Sequence, residues 1–206
     1  MITIGLTGGI GSGKSTAAAM LEERGAIRLD ADKVGHEAYL PGTRCWHELV
    51  DAFGRSIVAD DGTIDRKRLG AKVFADPEAL AALNALVWPR IAELIDGRIR
   101  GLRAAGSRTP VVLEAAVLIE ARWQWLVDQI WVVTVARERA IERVMATRGL
   151  ERSEVERRIA SQLSDAERTR EASCVIANDG APNDLRSALE RCWRERVAGA
   201  IAGGTP

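Results

Sequence analysis

The chain has 206 residues, a length that suits one domain with room for an inserted subdomain. Basic and acidic residues number 29 each, so no general basic field exists that would attract nucleic acid. No signal-peptide pattern opens the chain, and no apolar run approaches the roughly 18 residues of a membrane span. We therefore expect a cytoplasmic protein, monomeric as a first assumption, with neither nucleic acid nor membrane as a partner.

Five short runs rich in β-forming residues are candidate strands. Several are continuously apolar, as strands covered on both faces are, and helical patterns such as KSTAAAMLEERG separate them. This alternation predicts an α/β fold, a three-layer sandwich around a five-stranded parallel sheet with right-handed crossovers. The runs are Ile2–Thr7, Ala26–Asp30, Pro110–Glu114, Gln129–Val135 and Cys174–Asn178.

Two helical stretches interrupt this alternation within a single domain, 1–206. The first, about 33–105, is rich in helix formers and is interpreted as a helical insertion at the working edge of the sheet. The second, about 137–171, is interpreted as a further helical insertion, between the fourth and fifth strands. The core around the sheet then comprises about 1–32, 106–136 and 172–200.

The cysteines are Cys45, Cys174 and Cys192. Their odd number and wide spacing indicate neither a disulfide framework nor a zinc site. We expect three reduced thiols that are mostly packed against apolar neighbours.

The stretch Gly8–Ser15 fits the P-loop pattern G-x-x-x-x-G-K-[ST] and stands between a predicted strand and a predicted helix. Glycines permit the positive φ angles that turn successive N–H groups into one concavity, and a helix N-terminus behind it favours phosphate. We expect Lys14 to reach the β- and γ-phosphates of ATP and Ser15 to bind Mg²⁺. The nucleotide contacts predicted in this stretch and at the residue after it are Gly9, Gly11, Ser12, Gly13, Lys14, Ser15 and Thr16.

A phosphate-binding loop does not by itself identify a reaction. The N-K-x-D pattern of GTPases follows neither the fourth nor the fifth strand. The second strand ends in Asp30-Ala31-Asp32, where a carboxylate could accept a proton from an attacking hydroxyl. One of the two aspartates could instead cap the following helix, so one is expected to cap while the other faces substrate.

Between residues 137 and 170 there are nine arginines and seven acidic residues, most of which we expect to pair along solvated helix faces. A kinase lid needs one or two arginines that neutralise the transferring phosphoryl group. The candidates are Arg143, Arg139 and Arg148, in the helical stretch that follows the fourth strand.

Several segments in order resemble the dephospho-CoA kinase family, over about residues 2–180. They are GLTGGIGSGKST, LDAD, FGRSIVADDGTIDRKRLGAKVF, LNALVWPRI, VLEAAVLIE, and the Gln162 and Asn178-x-Gly180 positions. The resemblance implies ATP- and Mg²⁺-dependent phosphorylation of the ribose 3′-hydroxyl of dephospho-CoA. It also implies that the core binds the nucleotide, that the insertion at about 33–105 binds the substrate and that the stretch at about 137–171 is a lid. It implies that Asp32 is the general base, that Arg143 is the lid arginine and that Asn178 lies near the adenine. The acceptor contacts expected are Asp30, Asp32, His36 and Leu118.

The chain departs from the commoner family pattern at several positions. Glu114 stands where an aspartate is usual and Ala116 where a proline is usual. His36 replaces an arginine, and Arg148 is followed by Gly149 rather than by Asp or Asn. Two alternatives therefore stay open: another small-molecule kinase, such as a nucleoside monophosphate kinase, and a nucleotide-binding regulatory protein with vestigial chemistry.

Overall fold

The computed structural model describes residues 1–74 and 76–198. Among the helices described, none combines the length and the apolar composition needed to traverse a lipid bilayer. The strands are β1 (Thr3–Thr7), β2 (Ile27–Asp30), β3 (Val111–Glu114), β4 (Gln129–Thr134) and β5 (Cys174–Ala177). The α-helices are α1 (Lys14–Glu23), α2 (Ala31–Ala38), α3 (Arg44–Phe53), α4 (Arg66–Val73), α5 (Pro77–Ala104), α6 (Arg137–Arg148), α7 (Arg152–Ala160), α8 (Asp165–Arg170) and α9 (Pro182–Trp193).

The strands form one parallel sheet in the order β2-β3-β1-β4-β5, which confirms the predicted α/β class. In the register between β1 and β3, Leu6 pairs with Glu114, and between β1 and β4, Thr7 pairs with Val132. All carboxyl ends therefore meet at one edge of the sheet, which is where parallel α/β folds bind ligands. That edge carries the loop after β1, Glu114 at the end of β3 and Asn178 after β5.

Helices α1 and α9 cover one face of the sheet. The apolar side chains of Ile4 and Leu6 on β1 pack in one buried cluster with Leu21 of α1 and Leu189 of α9. All five residues of β1 are buried, as the continuous apolar run predicts for a central strand covered on both faces. This packing fixes the start of α1, and with it the preceding loop, relative to the sheet.

The chain divides into two compact units. One comprises Met1–Leu29 with the described residues from Leu102 onward, and the other comprises Asp30–Gly101. The second unit is helical, and side chains cap its helices: Thr43 accepts a hydrogen bond from the backbone N–H of Trp46 in α3, and Asp65 accepts two from the first turn of α4. The functional subdivision into core, substrate-binding insertion and lid stays a prediction.

The expectation of three reduced thiols is wrong for two of them. Cys174 on β5 and Cys192 on α9 are joined by a disulfide, with their Cα atoms 6.6 Å apart. Their separation of 18 residues hid this proximity, because α9 folds back along the sheet beside β5. Cys45 is a buried free thiol, and burial raises its pKa, so it remains protonated at neutral pH.

Thiol counting tests this pairing. Protein purified without reductant and then denatured should show one reactive thiol per chain, that of Cys45, and should show three after reduction. The Cys45→Ser variant serves as the control and should show none before reduction. Three thiols in the unreduced wild type would contradict the disulfide.

Candidate nucleotide-binding site

The loop Gly8–Ser15 joins β1 to α1 in a conformation that requires glycine at two positions. Gly11 and Gly13 have φ angles of 75° and 88°, in the region that side-chain-bearing residues rarely adopt. A Cβ atom on Gly11 would lie 2.7 Å from the backbone oxygen of Ala140 in α6. Gly13 is the N-cap of α1 and supplies no side-chain oxygen to the first N–H groups of that helix. These amides suit a phosphate ligand.

The side chains of Lys14 and Ser15 converge on Glu114 at the end of β3. Lys14 Nζ lies 3.0 Å from Glu114 Oε1, and the Ser15 hydroxyl donates to the same oxygen at 2.6 Å. Arg28 of β2 donates to the other oxygen, Oε2, from Nε at 3.0 Å and from Nη2 at 2.6 Å. Glu114 is only 4% exposed, so these partners compensate most of its lost hydration.

The protonation state of Glu114 follows from these contacts. Burial raises the pKa of the carboxyl group, but the Ser15 hydrogen bond, the charge and hydrogen bond of Lys14, and the Arg28 hydrogen bond act in the opposite direction. Their sum outweighs burial and holds the pKa of Glu114 below its usual value. The group is therefore a carboxylate at neutral pH.

Two side-chain oxygens beside the loop fit a magnesium ion of the kind that accompanies a bound nucleotide. Mg²⁺ usually takes one or two protein oxygens together with phosphate oxygens and water. The Ser15 hydroxyl and the Glu114 carboxylate, 2.6 Å apart, are such oxygens. Within the residues that the structure describes, no cluster of three or more His, Cys, Asp or Glu side chains could hold a metal ion without a further ligand.

Asn178, which follows β5, holds the loop through a side-chain hydrogen bond. Its side chain, 7% exposed, donates from Nδ2 to the backbone oxygen of Ser12 at 2.7 Å. A Cβ on Gly13 would lie 2.2 Å from the same nitrogen, so Asn178 also requires glycine there. The Asn178 carbonyl accepts a hydrogen bond from Arg143 Nη2 at 2.9 Å. Asn178 and Arg143 thus connect the loop to α6, whereas the predicted adenine contact of Asn178 stays a prediction.

A second set of contacts reaches the loop from the chain between α7 and α8. The backbone N–H of Ile10 donates to Gln162 Oε1 at 2.9 Å. Arg168 of α8, which is 1% exposed, donates to the backbone oxygen of Leu163 and, at 2.9 Å, to Glu120. The partly buried ion pair with Glu120 therefore positions the segment that carries Gln162.

A cavity of about 430 Å³ opens between the loop and this segment. Its volume is within the range of small-molecule sites, which is roughly 300 to 1,000 Å³. The lining includes Gly9, Ile10 and Ser12 from the loop and Gln162, Leu163 and Arg168 from the segment.

In the Asp30–Gly101 unit, the aspartate that ends β2 and the one that follows Ala31 in the next helix differ in their contacts. Asp30 caps α2 by accepting hydrogen bonds from the N–H groups of Asp32 and Lys33. Asp32 is exposed, and no described residue donates to its carboxylate. His36, one turn further along α2, contacts the guanidinium of Arg66 from α4. Arg66 was not singled out from the sequence, and it places a guanidinium beside His36.

The remaining predicted residues lie in different environments. Leu118 is fully buried, and its side chain lies over Gly5 of β1, so its predicted contact with the acceptor stays a prediction. Thr16 is exposed on the first turn of α1. Arg139 and Arg148, the alternative lid arginines, are both exposed on α6.

Comparisons with known proteins agree with these features. A profile of the dephospho-CoA kinase family matches residues 2–184. The chain is 45% identical over 196 residues to a dephospho-CoA kinase of Geobacter sulfurreducens, covering 95% of this chain and 99% of that relative. Among solved structures, TT1252 from Thermus thermophilus has a TM-score of 0.80 and 36% identity, covering 95% and 98% of the two chains. A dephospho-CoA kinase from Campylobacter jejuni, with a TM-score of 0.71, 23% identity and coverage of 96% and 98%, supports the fold.

Substitution of Gly11 tests whether the loop conformation serves nucleotide binding. In Gly11→Ala, the positive φ and the approach to Ala140 should displace the loop and weaken ATP binding at least about tenfold, because left-handed backbone alone costs roughly 1–2 kcal/mol per non-glycine residue. Calorimetric titration with ATP measures the loss. Gly97→Ala, on an exposed and uncrowded site of α5, should leave ATP affinity unchanged. Equal affinities of the two variants would contradict the assignment.

Proposed function

The chain belongs to the dephospho-CoA kinase family, and we propose that its loop Gly8–Ser15 binds the ATP whose γ-phosphoryl group it transfers to the ribose 3′-hydroxyl of dephospho-CoA. The observation that carries this proposal is the convergence of Lys14, Ser15 and Glu114 beside a glycine-shaped loop, in a chain that matches the family over nearly its whole length. A kinase that completes coenzyme A synthesis needs such a phosphate site.

The phosphates of ATP would be held by the N–H groups at the start of α1 and by Lys14. A helix N-terminus favours anions through its N–H groups and its dipole. Lys14 forms an ion pair with Glu114 in this structure. Its side chain is flexible, so its ammonium group can leave the carboxylate and bind a β- or γ-phosphate oxygen instead. The other contacts proposed for ATP are Gly9, Gly11, Ser12, Gly13, Ser15, Thr16 and Asn178.

Magnesium would be held by Ser15, with Glu114 as the neighbouring carboxylate. When bound, the ion neutralises charge on the β- and γ-phosphates during transfer. The side chains of Ser15 and Glu114 already share a hydrogen bond, so little rearrangement is required of them.

Asp32 is proposed to orient the acceptor hydroxyl and to accept its proton. Two features support this role: the capping function after β2 is taken by Asp30, and the exposed Asp32 carboxylate has no donor among the described residues. Since phosphoryl transfer proceeds through a loose transition state, orientation should contribute more than base strength.

Arg143 is proposed to stabilise negative charge on the transferring group. In the described residues its guanidinium makes one hydrogen bond, to the carbonyl of Asn178, which leaves further donors for phosphoryl oxygens. Removing one preorganised donor of this kind typically lowers turnover on the order of 10² to 10³.

The acceptor is proposed to bind the Asp30–Gly101 unit through Asp30, Asp32 and His36, with Leu118 as a further predicted contact. Arg66 joins this set because its guanidinium lies against His36 and suits the diphosphate of dephospho-CoA. A cytoplasmic location and a monomeric state, as predicted from the sequence, belong to the same proposal.

Acceptor-dependent ADP formation tests the function. We expect ADP release from ATP and Mg²⁺ to rise strongly on addition of dephospho-CoA and to respond little to nucleoside monophosphates. A coupled ADP assay with this acceptor panel measures it. Preference for a nucleoside monophosphate would favour the other kinase class, and ATP binding without any acceptor-dependent ADP would favour a regulatory protein.

Replacement of Asp32 separates ATP binding from transfer. Asp32→Asn should bind ATP as the wild type does and lower kcat by about 10² or more, the usual contribution of a positioned acid or base. The control is Asp51→Asn, an exposed aspartate on α3 of the same unit, which should leave both quantities unchanged. Turnover by Asp32→Asn near the wild-type rate would rule out the base assignment.

A further inference from the structure

Arg28 binds Oε2 of Glu114, whereas Lys14 binds Oε1. Arg28 lies in the middle of β2, next to β3 in the sheet, and directs both Nε and Nη2 to Glu114 Oε2. Its Nη1 also lies 3.7 Å from Glu22 of α1. Arg28 lies outside the phosphate-binding motif, and no role in nucleotide binding has been assigned to it above.

The two oxygens of Glu114 therefore have different partners, and the binding of ATP is expected to affect these partners differently. Oε1 is shared by Lys14 and Ser15, the groups proposed to bind ATP and its metal ion. When Lys14 moves to the phosphates of metal-free ATP, Oε1 loses its ionic partner inside a nearly buried site. A buried carboxylate without a positive partner is strongly unfavourable, so the release of Lys14 opposes ATP binding unless a second cation stays behind.

We propose that Arg28 is a positioning residue that keeps Glu114 paired and oriented while Lys14 is released to the phosphates of ATP. Arg28 lies on a strand rather than on the loop, so it can remain on Oε2 throughout this exchange. It acts through Glu114 and does not itself contact the nucleotide. Loss of Arg28 would leave Lys14 as the principal countercharge of Glu114, and ATP would then compete with that ion pair.

Two other roles for Arg28 give different results. If Arg28 only links β2 to β3, its loss lowers stability and leaves ATP affinity unchanged. If it binds a phosphate directly, its loss weakens ATP binding whether or not residue 114 is charged. A double-mutant cycle between Arg28 and Glu114 distinguishes these cases from the proposed one.

The cycle compares the wild type, Arg28→Gln, Glu114→Gln and the double variant. Calorimetric ATP titrations without acceptor, in EDTA and in Mg²⁺, give dissociation constants without turnover. In EDTA, we expect Arg28→Gln to weaken ATP binding about tenfold when Glu114 is present and less than about twofold when Glu114→Gln has removed the charge, a coupling typical of contacting residues. In Mg²⁺ the loss should be smaller, because the ion proposed beside Glu114 also supplies positive charge. Equal losses in both backgrounds in EDTA, or no loss in either, would overturn the proposal.

Two controls separate a loss of ATP affinity from a loss of folded protein. Melting temperatures are recorded for every variant, and Arg28→Lys replaces Arg28→Gln in the cycle if the latter does not fold. Because lysine retains the charge, Arg28→Lys should lose less affinity than Arg28→Gln, again only with Glu114 present. Arg24→Gln, which removes an arginine paired with Glu190 on the surface, should leave ATP affinity unchanged.

The inference about Arg28 rests on the proposed nucleotide site, and different results would contradict the inference and the site. Absence of ATP binding by the wild type would contradict the site and with it the role of Arg28. Tight wild-type binding combined with an additive cycle would contradict the role of Arg28 alone.

Discussion

The proposed nucleotide site depends on the ion pairs and hydrogen bonds of the Glu114 carboxylate. Glu114 ends the strand next to β1, it is almost completely buried, and hydrogen bonds and positive charge keep its pKa low. A buried carboxylate requires partners, and the partners here are Lys14, Ser15 and Arg28. The need to compensate one charge thus brings together the lysine and the hydroxyl that phosphate binding requires.

The loop conformation is the second constraint, and neighbouring elements enforce it from several sides. Ala140 of α6 approaches Gly11, Asn178 holds the Ser12 carbonyl, and Gln162 holds the Ile10 N–H. Because these contacts come from three separate parts of the chain, they hold the loop in its conformation without a ligand. A preorganised site of this kind reduces the reorganisation that charge development would otherwise require.

Sequence patterns located the backbone well and the side-chain partners poorly. Continuous apolar runs predicted the strands closely; β4, for example, was expected at 129–135 and spans Gln129–Thr134. The pairing of Arg28 with Glu114 joins residues 86 positions apart, and that of Gln162 with Ile10 joins residues 152 apart. Periodicity and motifs report local structure, so such contacts follow only from the three-dimensional arrangement of the elements. The disulfide was missed for the same reason.

The most direct test is a crystal structure with a non-hydrolysable ATP analogue and Mg²⁺. The account predicts that Lys14 leaves Glu114 and lies within hydrogen-bonding distance of the β- or γ-phosphate, while Arg28 remains on Glu114. Triphosphate bound away from the start of α1, or Lys14 still paired with Glu114 in the occupied site, would contradict it.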